Sequence, residues 1–72
     1  MTSDHIYTVN EIVGSSREGV DAAINNALGR ASQTLRHLEW FEVREIRGTV
    51  EDGHAGWVQV KLGIGMRVEE PS

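Results

Sequence analysis

The sequence predicts an α+β domain of order β-α-β-β, in which a three-stranded antiparallel sheet curls around one long helix. Residues 57–69 alternate between apolar and polar side chains without a break, which is typical of a strand with one buried face. Between residues 17 and 38, apolar side chains recur at steps of three and four, which predicts an amphipathic helix. Asp52 and Gly53 form a turn signal between the last two strand-like segments, so these segments should pair as an antiparallel hairpin.

The composition indicates one domain, residues 1–72, and argues against several kinds of function. With 7 basic and 11 acidic residues, the net charge of −4 disfavours nucleic-acid binding, because contacts to phosphate dominate that affinity. The chain has neither a long apolar run nor a signal-peptide pattern, so we expect no membrane contact and a cytoplasmic location. A domain this short has a thin core, and without cysteine it has no disulfide, so self-association is expected to support it.

The first strand is predicted at residues 5–13, which are rich in Ile, Val, Tyr and Thr, and Gly14 ends it. Ser15 is the expected N-cap of the helix, and Glu18, three residues later, would complete a capping box. The helix is predicted over residues 17–38, with its core-facing side formed by Val20, Ala23, Ile24, Ala27, Leu28, Ala31, Leu35 and Leu38. Gly29 lies inside this segment and indicates tight packing, because glycine otherwise destabilises a helix relative to alanine.

The second strand is predicted at residues 40–50, where the apolar side chains of the first and second halves have opposite parity. Such a change of phase indicates a bulge, which we place near Arg44 and Glu45. The loop to the last strand should be longer than two residues, because residues 54–56 (HAG) follow the turn signal.

The polar face of the last strand has an unusual composition, with an indole, an amide, two cations and two glycines. Its members are Trp57, Gln59, Lys61, Gly63, Gly65, Arg67 and Glu69. Glycine inside a strand indicates that another group approaches the backbone closely. Two interpretations remain open for this face: it is simply solvated, or it lines a contact with a ligand or another subunit.

Nucleophilic catalysis is not indicated, since the chain has no cysteine and its serines and histidines lie in no catalytic motif. No metal is predicted either, because the histidines lack ligand spacing and are expected at the surface: His5, His37 and His54. Trp40 is a better candidate for a functional residue, as a contact to another molecule. Phe41 has the parity of the core residue Val43, so Trp40 should point away from the helix, towards an interface or a planar ligand.

Three stretches of the chain carry a resemblance to a known family: residues 11–16 (EIVGSS), 34–53 (TLRHLEWFEVREIRGTVEDG) and 58–69 (VQVKLGIGMRVE). They resemble the dodecins, a family of small flavin-binding proteins. The resemblance covers nearly the whole chain, from Ile6 to Glu69, and its central block is long and specific. It implies the same β-α-β-β fold, assembled into a hollow homododecamer. It also implies that flavins bind in pairs at the two-fold contacts, stacked between tryptophan side chains.

The resemblance also implies which residues hold the flavin. Trp40 matches the stacking tryptophan, and Gln59 matches the amide that hydrogen-bonds the isoalloxazine ring. Arg47 and Arg67 match positions that contact the flavin phosphate in bacterial members. Antiparallel pairing is expected to bring the outward faces of Trp40 and Gln59 side by side. The chain departs from the family pattern at four positions, none of which falls on these residues: Trp57, Val58, Gly63 and Met66.

The function implied by this resemblance is flavin storage or sequestration, with quenching of flavin photochemistry and no enzymatic activity. One alternative is a flavoenzyme or electron carrier that uses the same bound flavin. Another is a purely structural shell whose ligand is incidental. FMN and riboflavin are both candidates for the cofactor, and coenzyme A or another anion remains a candidate further ligand.

Overall fold

The computed structural model describes residues 4–69, which form three strands and one helix in the predicted order. The elements are β1 (Tyr7–Ser16), α1 (Val20–Ala31), β2 (Leu38–Glu51) and β3 (His54–Arg67). The strands form one antiparallel sheet of order β1-β3-β2, so the last strand lies in the middle. The predicted fold class is therefore confirmed. No helix within residues 4–69 is long and apolar enough to cross a bilayer.

The core lies between α1 and the even-numbered side chains of β3. Val60, Leu62 and Ile64 have no exposed surface, and Val60 and Leu62 pack with Ala23 and Ala27 of the helix. The predicted alternation of β3 is therefore confirmed. Alanine side chains are short enough for the helix to approach the sheet closely.

Gly14 of β1 lies directly beneath α1. A Cβ at this position would overlap the carbonyl oxygen of Ala23 and would lie 2.8 Å from the Cβ of Ala27. Since the first of these atoms belongs to the helix backbone, no side chain fits at Gly14 without displacing α1.

The helix is shorter than predicted, with 12 residues in place of the segment 17–38. At its start, Gly19 occupies the N-cap position with φ of 120°, and no side chain caps the helix. The predicted capping box is wrong: Ser15 still belongs to β1, and the Glu18 N–H donates instead to Ser16 Oγ at 2.8 Å.

At its C-terminus, the helix ends in a turn at residues 32–34, where Ser32 Oγ donates to the Gly29 carbonyl at 2.9 Å. Leu35 and Leu38 continue the apolar spacing and are half-buried, but they lie beyond the helix. Their burial without helical structure explains why the pattern overestimated the length of α1. The tight packing predicted at Gly29 is also wrong, because no atom lies within 4 Å of a Cβ placed there.

The hairpin between β2 and β3 has a two-residue loop. Glu51 pairs with His54, and Asp52 and Gly53 both have positive φ, 52° and 78°, as a type I′ turn requires. The prediction of a longer loop is wrong because residues 54–56 already belong to β3. The predicted bulge is confirmed by a register shift between Val43 and Glu45, and two further shifts flank it.

α1 packs against β1 and β3 and leaves the helix-facing side of β2 largely uncovered. Phe41, Val43 and Ile46 on that side are 45%, 42% and 54% exposed. The chain is correspondingly elongated, with dimensions of 58 × 20 × 14 Å and a radius of gyration of 15.3 Å. A compact domain of this length has a radius of gyration of about 11 Å.

Candidate functional site

The outer face, defined here as the side of the sheet opposite α1, carries the four residues predicted to bind flavin. It presents the odd-numbered residues of β3 and their cross-strand partners on β1 and β2. Its apolar and aromatic members are exposed: Tyr7, Val9, Val13, Trp40 and Trp57. The even-numbered side chains of β3 fill the core, so the odd-numbered side chains, which point the opposite way, lie on the outer face.

Trp40 points away from the helix, as its parity predicts. A register shift precedes it on β2, and it pairs with Gly65 of β3. Its indole ring lies across the Gly65 backbone so closely that a Cβ at residue 65 would overlap the ring. The close approach predicted from a glycine in this strand is therefore confirmed, and the approaching group is the indole. The side chain remains 42% exposed.

Arg67 lies further along the outer face, at the end of β3. It is two residues beyond Gly65, the residue that the Trp40 indole covers, which corresponds to about 7 Å along a strand. Its Nε lies 3.6 Å from Glu39 Oε2, and the Tyr7 hydroxyl donates to the other oxygen of that carboxylate at 3.3 Å. The Arg67 backbone N–H donates to the His37 carbonyl at 3.0 Å, which fixes the strand end. Arg67 is thus a cation held beside the tryptophan.

Gln59 and Arg47 form a second pair on the outer face. They are cross-strand partners, and Arg47 Nε donates to Gln59 Oε1 at 3.1 Å. Because this bond occupies the amide oxygen, the amide nitrogen of Gln59 is left to donate to another group.

The four predicted residues do not form one site within a single chain. Gln59 and Gly65, which lies beneath Trp40, are six residues apart on β3, a distance of about 20 Å along a strand. The expectation that antiparallel pairing would place Trp40 beside Gln59 is therefore wrong within one chain. Gln59 instead pairs with Arg47, and Trp40 covers Gly65, two residues before Arg67 on β3.

Between these pairs lies an ionic cluster that the sequence analysis missed. Arg44, the bulged residue of β2, lies across Gly63, whose added Cβ would be 2.8 Å from Arg44 Nε. Its guanidinium contacts Glu11 on β1 at 2.9 Å and Glu42 on β2 at 3.3 Å. Hydrogen bonds to these carboxylates raise the pKa of Arg44 above its ordinary value. The sequence did contain a signal for this cluster, namely a bulge predicted near Arg44 together with an unusual glycine at position 63.

Trp57 lies at the other end of the sheet, close to the hairpin turn. The Arg17 guanidinium carbon is 5.3 Å from the centroid of its ring, within cation–π range. Arg17 also pairs with Glu51 at 2.7 Å, and Thr49 Oγ1 donates to the same carboxylate at 3.2 Å. The hydrogen bond from Arg17, followed by that from Thr49, lowers the pKa of Glu51. This cluster ties the start of the helical segment to the hairpin.

The order of features along the outer face is therefore an aromatic ring with a cation, a central ionic cluster, and an amide with a second cation. Such a face suits a flat, partly anionic ligand that needs a stacking surface and hydrogen bonds at its edge. Within residues 4–69, no group of three or more His, Cys, Asp or Glu side chains is arranged to hold a metal ion.

Comparison with known proteins identifies the family of the chain. The family model described as Dodecin matches residues 6–69. The chain belongs to the dodecin family. A dodecin from Thermus thermophilus is 54% identical over 65 residues, covering 90% of this chain and 94% of that protein.

Two solved dodecin structures are also similar to the chain. The structure of dodecin from Streptomyces coelicolor has a TM-score of 0.87 and 54% identity, over 97% of this chain and 100% of that one. A variant of the Thermus thermophilus dodecin, in which a tryptophan is replaced by phenylalanine, has a TM-score of 0.87 and 51% identity. That match covers 93% of this chain and 100% of the other.

Proposed function

We propose that this dodecin stores or sequesters flavin, either FMN or riboflavin, in a hollow homododecamer and quenches its photochemistry by stacking. The observation that carries the proposal is the position of Trp40, whose indole lies across Gly65 and remains 42% exposed on the outer face. One side of the indole rests on the strand, and the other is open to a second flat ring. An aromatic surface held in this way loses little conformational freedom when a ligand stacks on it.

A second subunit would complete the flavin site. Consider two copies that face each other through their outer faces, with a two-fold axis near Leu62, the residue midway between Gln59 and Gly65. Antiparallel β3 strands would then bring Trp40 opposite Gln59 of the partner subunit. An isologous contact of this kind forms two identical sites about one axis, as paired flavins require. The tryptophan would supply the stacking surface, and the amide a donor to the ring edge.

The two arginines would bind the phosphate group of FMN. Arg67 is about 7 Å along β3 from the residue beneath the indole, and in the two-fold arrangement Arg47 of the partner subunit accompanies Gln59. An arginine can grip phosphate oxygens through two parallel N–H bonds. Riboflavin lacks the phosphate, so the same stack would hold it without these contacts. Stacked pairs also enclose the redox-active ring, which favours storage over turnover of a further substrate.

A titration of flavin-free protein tests this function. We expect FMN and riboflavin to bind with strong loss of their fluorescence, because an excited flavin in van der Waals contact with an indole is quenched. Denaturation should release the flavin and restore its fluorescence. Unchanged fluorescence at saturating protein would contradict flavin binding. Sustained turnover with a defined electron donor and acceptor would instead identify a flavoenzyme.

Assembly is a separate prediction. The helix-facing side chains of β2, Phe41, Val43 and Ile46, are about half exposed, and no element within residues 4–69 covers them. A chain with an open apolar strip on one side of its sheet should bury it against further copies. Light scattering should give the mass of twelve subunits of 8.0 kDa, about 96 kDa. A monomer or dimer at micromolar concentration would rule out the closed shell.

A further inference from the structure

We propose that Trp57, backed by Arg17, is a stacking platform for the adenine ring of FAD, which reaches it from the flavin site of a facing subunit. The proposal rests on the flavin-binding function and the two-fold arrangement described above, and it adds the dinucleotide to the forms of flavin that the protein binds. It also assigns a role to one of the four positions at which the chain departs from the family pattern.

The Trp57 indole is held in place by a closed circuit of contacts. Its backbone N–H donates to Thr49 Oγ1 at 2.9 Å, and the Thr49 hydroxyl donates to Glu51 Oε2 at 3.2 Å. The other oxygen of that carboxylate pairs with Arg17 at 2.7 Å, and the Arg17 guanidinium carbon lies over the indole, 5.3 Å from the ring centroid. The hairpin and the segment before α1 together therefore fix both the backbone and the ring of Trp57.

The contact with Arg17 leaves much of the Trp57 ring open. The residue is 44% exposed, close to the 42% of Trp40. Covering an aromatic ring removes a large apolar area from water, so a ring that only held Arg17 would be more stable packed against the sheet. A ring that is kept at the surface in one orientation is instead suited to stack on a flat partner. Both tryptophans of the chain thus present held, exposed rings on the outer face.

The two-fold arrangement places this platform beside the flavin phosphate. Arg67 is five residues beyond the axis at Leu62, and Trp57 is five residues before it. Arg67 of one subunit therefore faces Trp57 of the partner subunit. Because Arg67 is two residues from Gly65, the floor of the flavin stack, the platform would lie about 7 Å from that stack along the strand and about 10 Å away across the gap between the sheets.

FAD has the parts that this arrangement fits. Its isoalloxazine ring would stack on Trp40, and its diphosphate would lie beside Arg67. Its adenine would then cross the gap to Trp57 of the partner subunit, a separation that the flexible ribityl, diphosphate and ribose units can span. An aromatic side chain holds a base by its flat face, with no hydrogen bond to the base edge. FMN and riboflavin have no adenine and would leave the platform empty.

The charges around the platform favour the anionic chain of FAD. The Glu51 carboxylate is neutralised by Arg17, so this pair neither attracts nor repels a diphosphate strongly. Arg47, on the neighbouring strand, donates to the neutral amide of Gln59 and keeps its full positive charge. The approach to Trp57 is therefore net positive although the whole chain has a charge of −4.

The experiment compares FAD with FMN by calorimetric titration of flavin-free protein. Calorimetry is chosen because free FAD is already partly quenched by its own adenine, which obscures a fluorescence titration. Trp57→Ala should weaken FAD binding about fivefold or more, the loss expected for one base–aromatic stack. The same variant should bind FMN and riboflavin as the parent protein does, because neither has a group that reaches the platform.

Trp57→Phe is the matched variant, since it keeps a flat ring at the same position of β3. It should retain most of the affinity for FAD. Unchanged FAD affinity in Trp57→Ala overturns the proposal, and so does a parent protein that binds FMN but not FAD. Equal losses for FAD and FMN overturn it as well, because they would show that Trp57 acts through the fold or the assembly.

A second measurement needs no flavin. ADP is added to flavin-free protein, and the transfer of magnetic saturation from the protein to the adenine protons is compared between the parent protein and Trp57→Ala. Greater transfer in the parent protein supports the platform, and equal transfer overturns it even if flavin binds. Lost transfer without any change in FAD affinity would identify a separate nucleotide site and overturn the assignment to FAD. Absence of binding of every flavin to the parent protein would refute the proposed function separately.

Discussion

Replacing Trp40 by alanine is expected to weaken flavin binding at least about thirtyfold, because truncating an aromatic anchor in a binding site costs about 2 kcal/mol or more. The indole is the stacking surface of the proposed site, and it lies on the exposed face, where the core gains nothing from it. Any flavin that still binds should recover fluorescence, since its quencher is gone. A fluorescence titration measures both effects.

Trp57→Ala provides the matched control for this prediction. Trp57 is also an exposed indole on the same strand, but it is eight residues from Gly65, about 27 Å along β3, and it stacks with Arg17. This variant should keep parental affinity and quenching. Both variants should elute with the assembled protein in size-exclusion chromatography. Parental affinity in Trp40→Ala, together with loss in Trp57→Ala, would transfer the stacking role to Trp57.

Replacing Gly14 by alanine is expected to lower the free energy of unfolding by about 3 kcal/mol, the upper end of the usual cost of overpacking a core. The added methyl group would overlap the Ala23 carbonyl, which belongs to the helix backbone and cannot rotate away as a side chain could. α1 would have to lift from the sheet, exposing Val60 and Leu62. Chemical denaturation measures this at one fixed protein concentration, because the stability of an oligomer depends on concentration.

Gly29→Ala is the control, since it makes the same chemical change at an exposed position of α1, the helix that covers Gly14. No atom lies within 4 Å of the new methyl group, and alanine favours a helix over glycine by up to about 1 kcal/mol. This variant should therefore be slightly more stable than the parent. Equal stability of the two variants would show that α1 does not pack on Gly14 as described.

The order of elements, the buried face of β3 and the outward direction of Trp40 could all be predicted from the sequence. These features follow from local periodicity: a period of two assigns each β3 residue to one face, and adjacent residues such as Trp40 and Phe41 must point in opposite directions. The bulge near Arg44 was also predictable, since an extra residue leaves a change of parity in the pattern.

Tertiary structure alone decided the length of α1, the ion pairs of Arg44 with Glu11 and Glu42, and which of the predicted site residues lie together. Leu35 and Leu38 continue the helical spacing but are covered in an irregular segment and a strand, and burial by itself does not specify backbone conformation. The distance between Trp40 and Gln59 depends on strand register, which bulges shift and which no local pattern encodes.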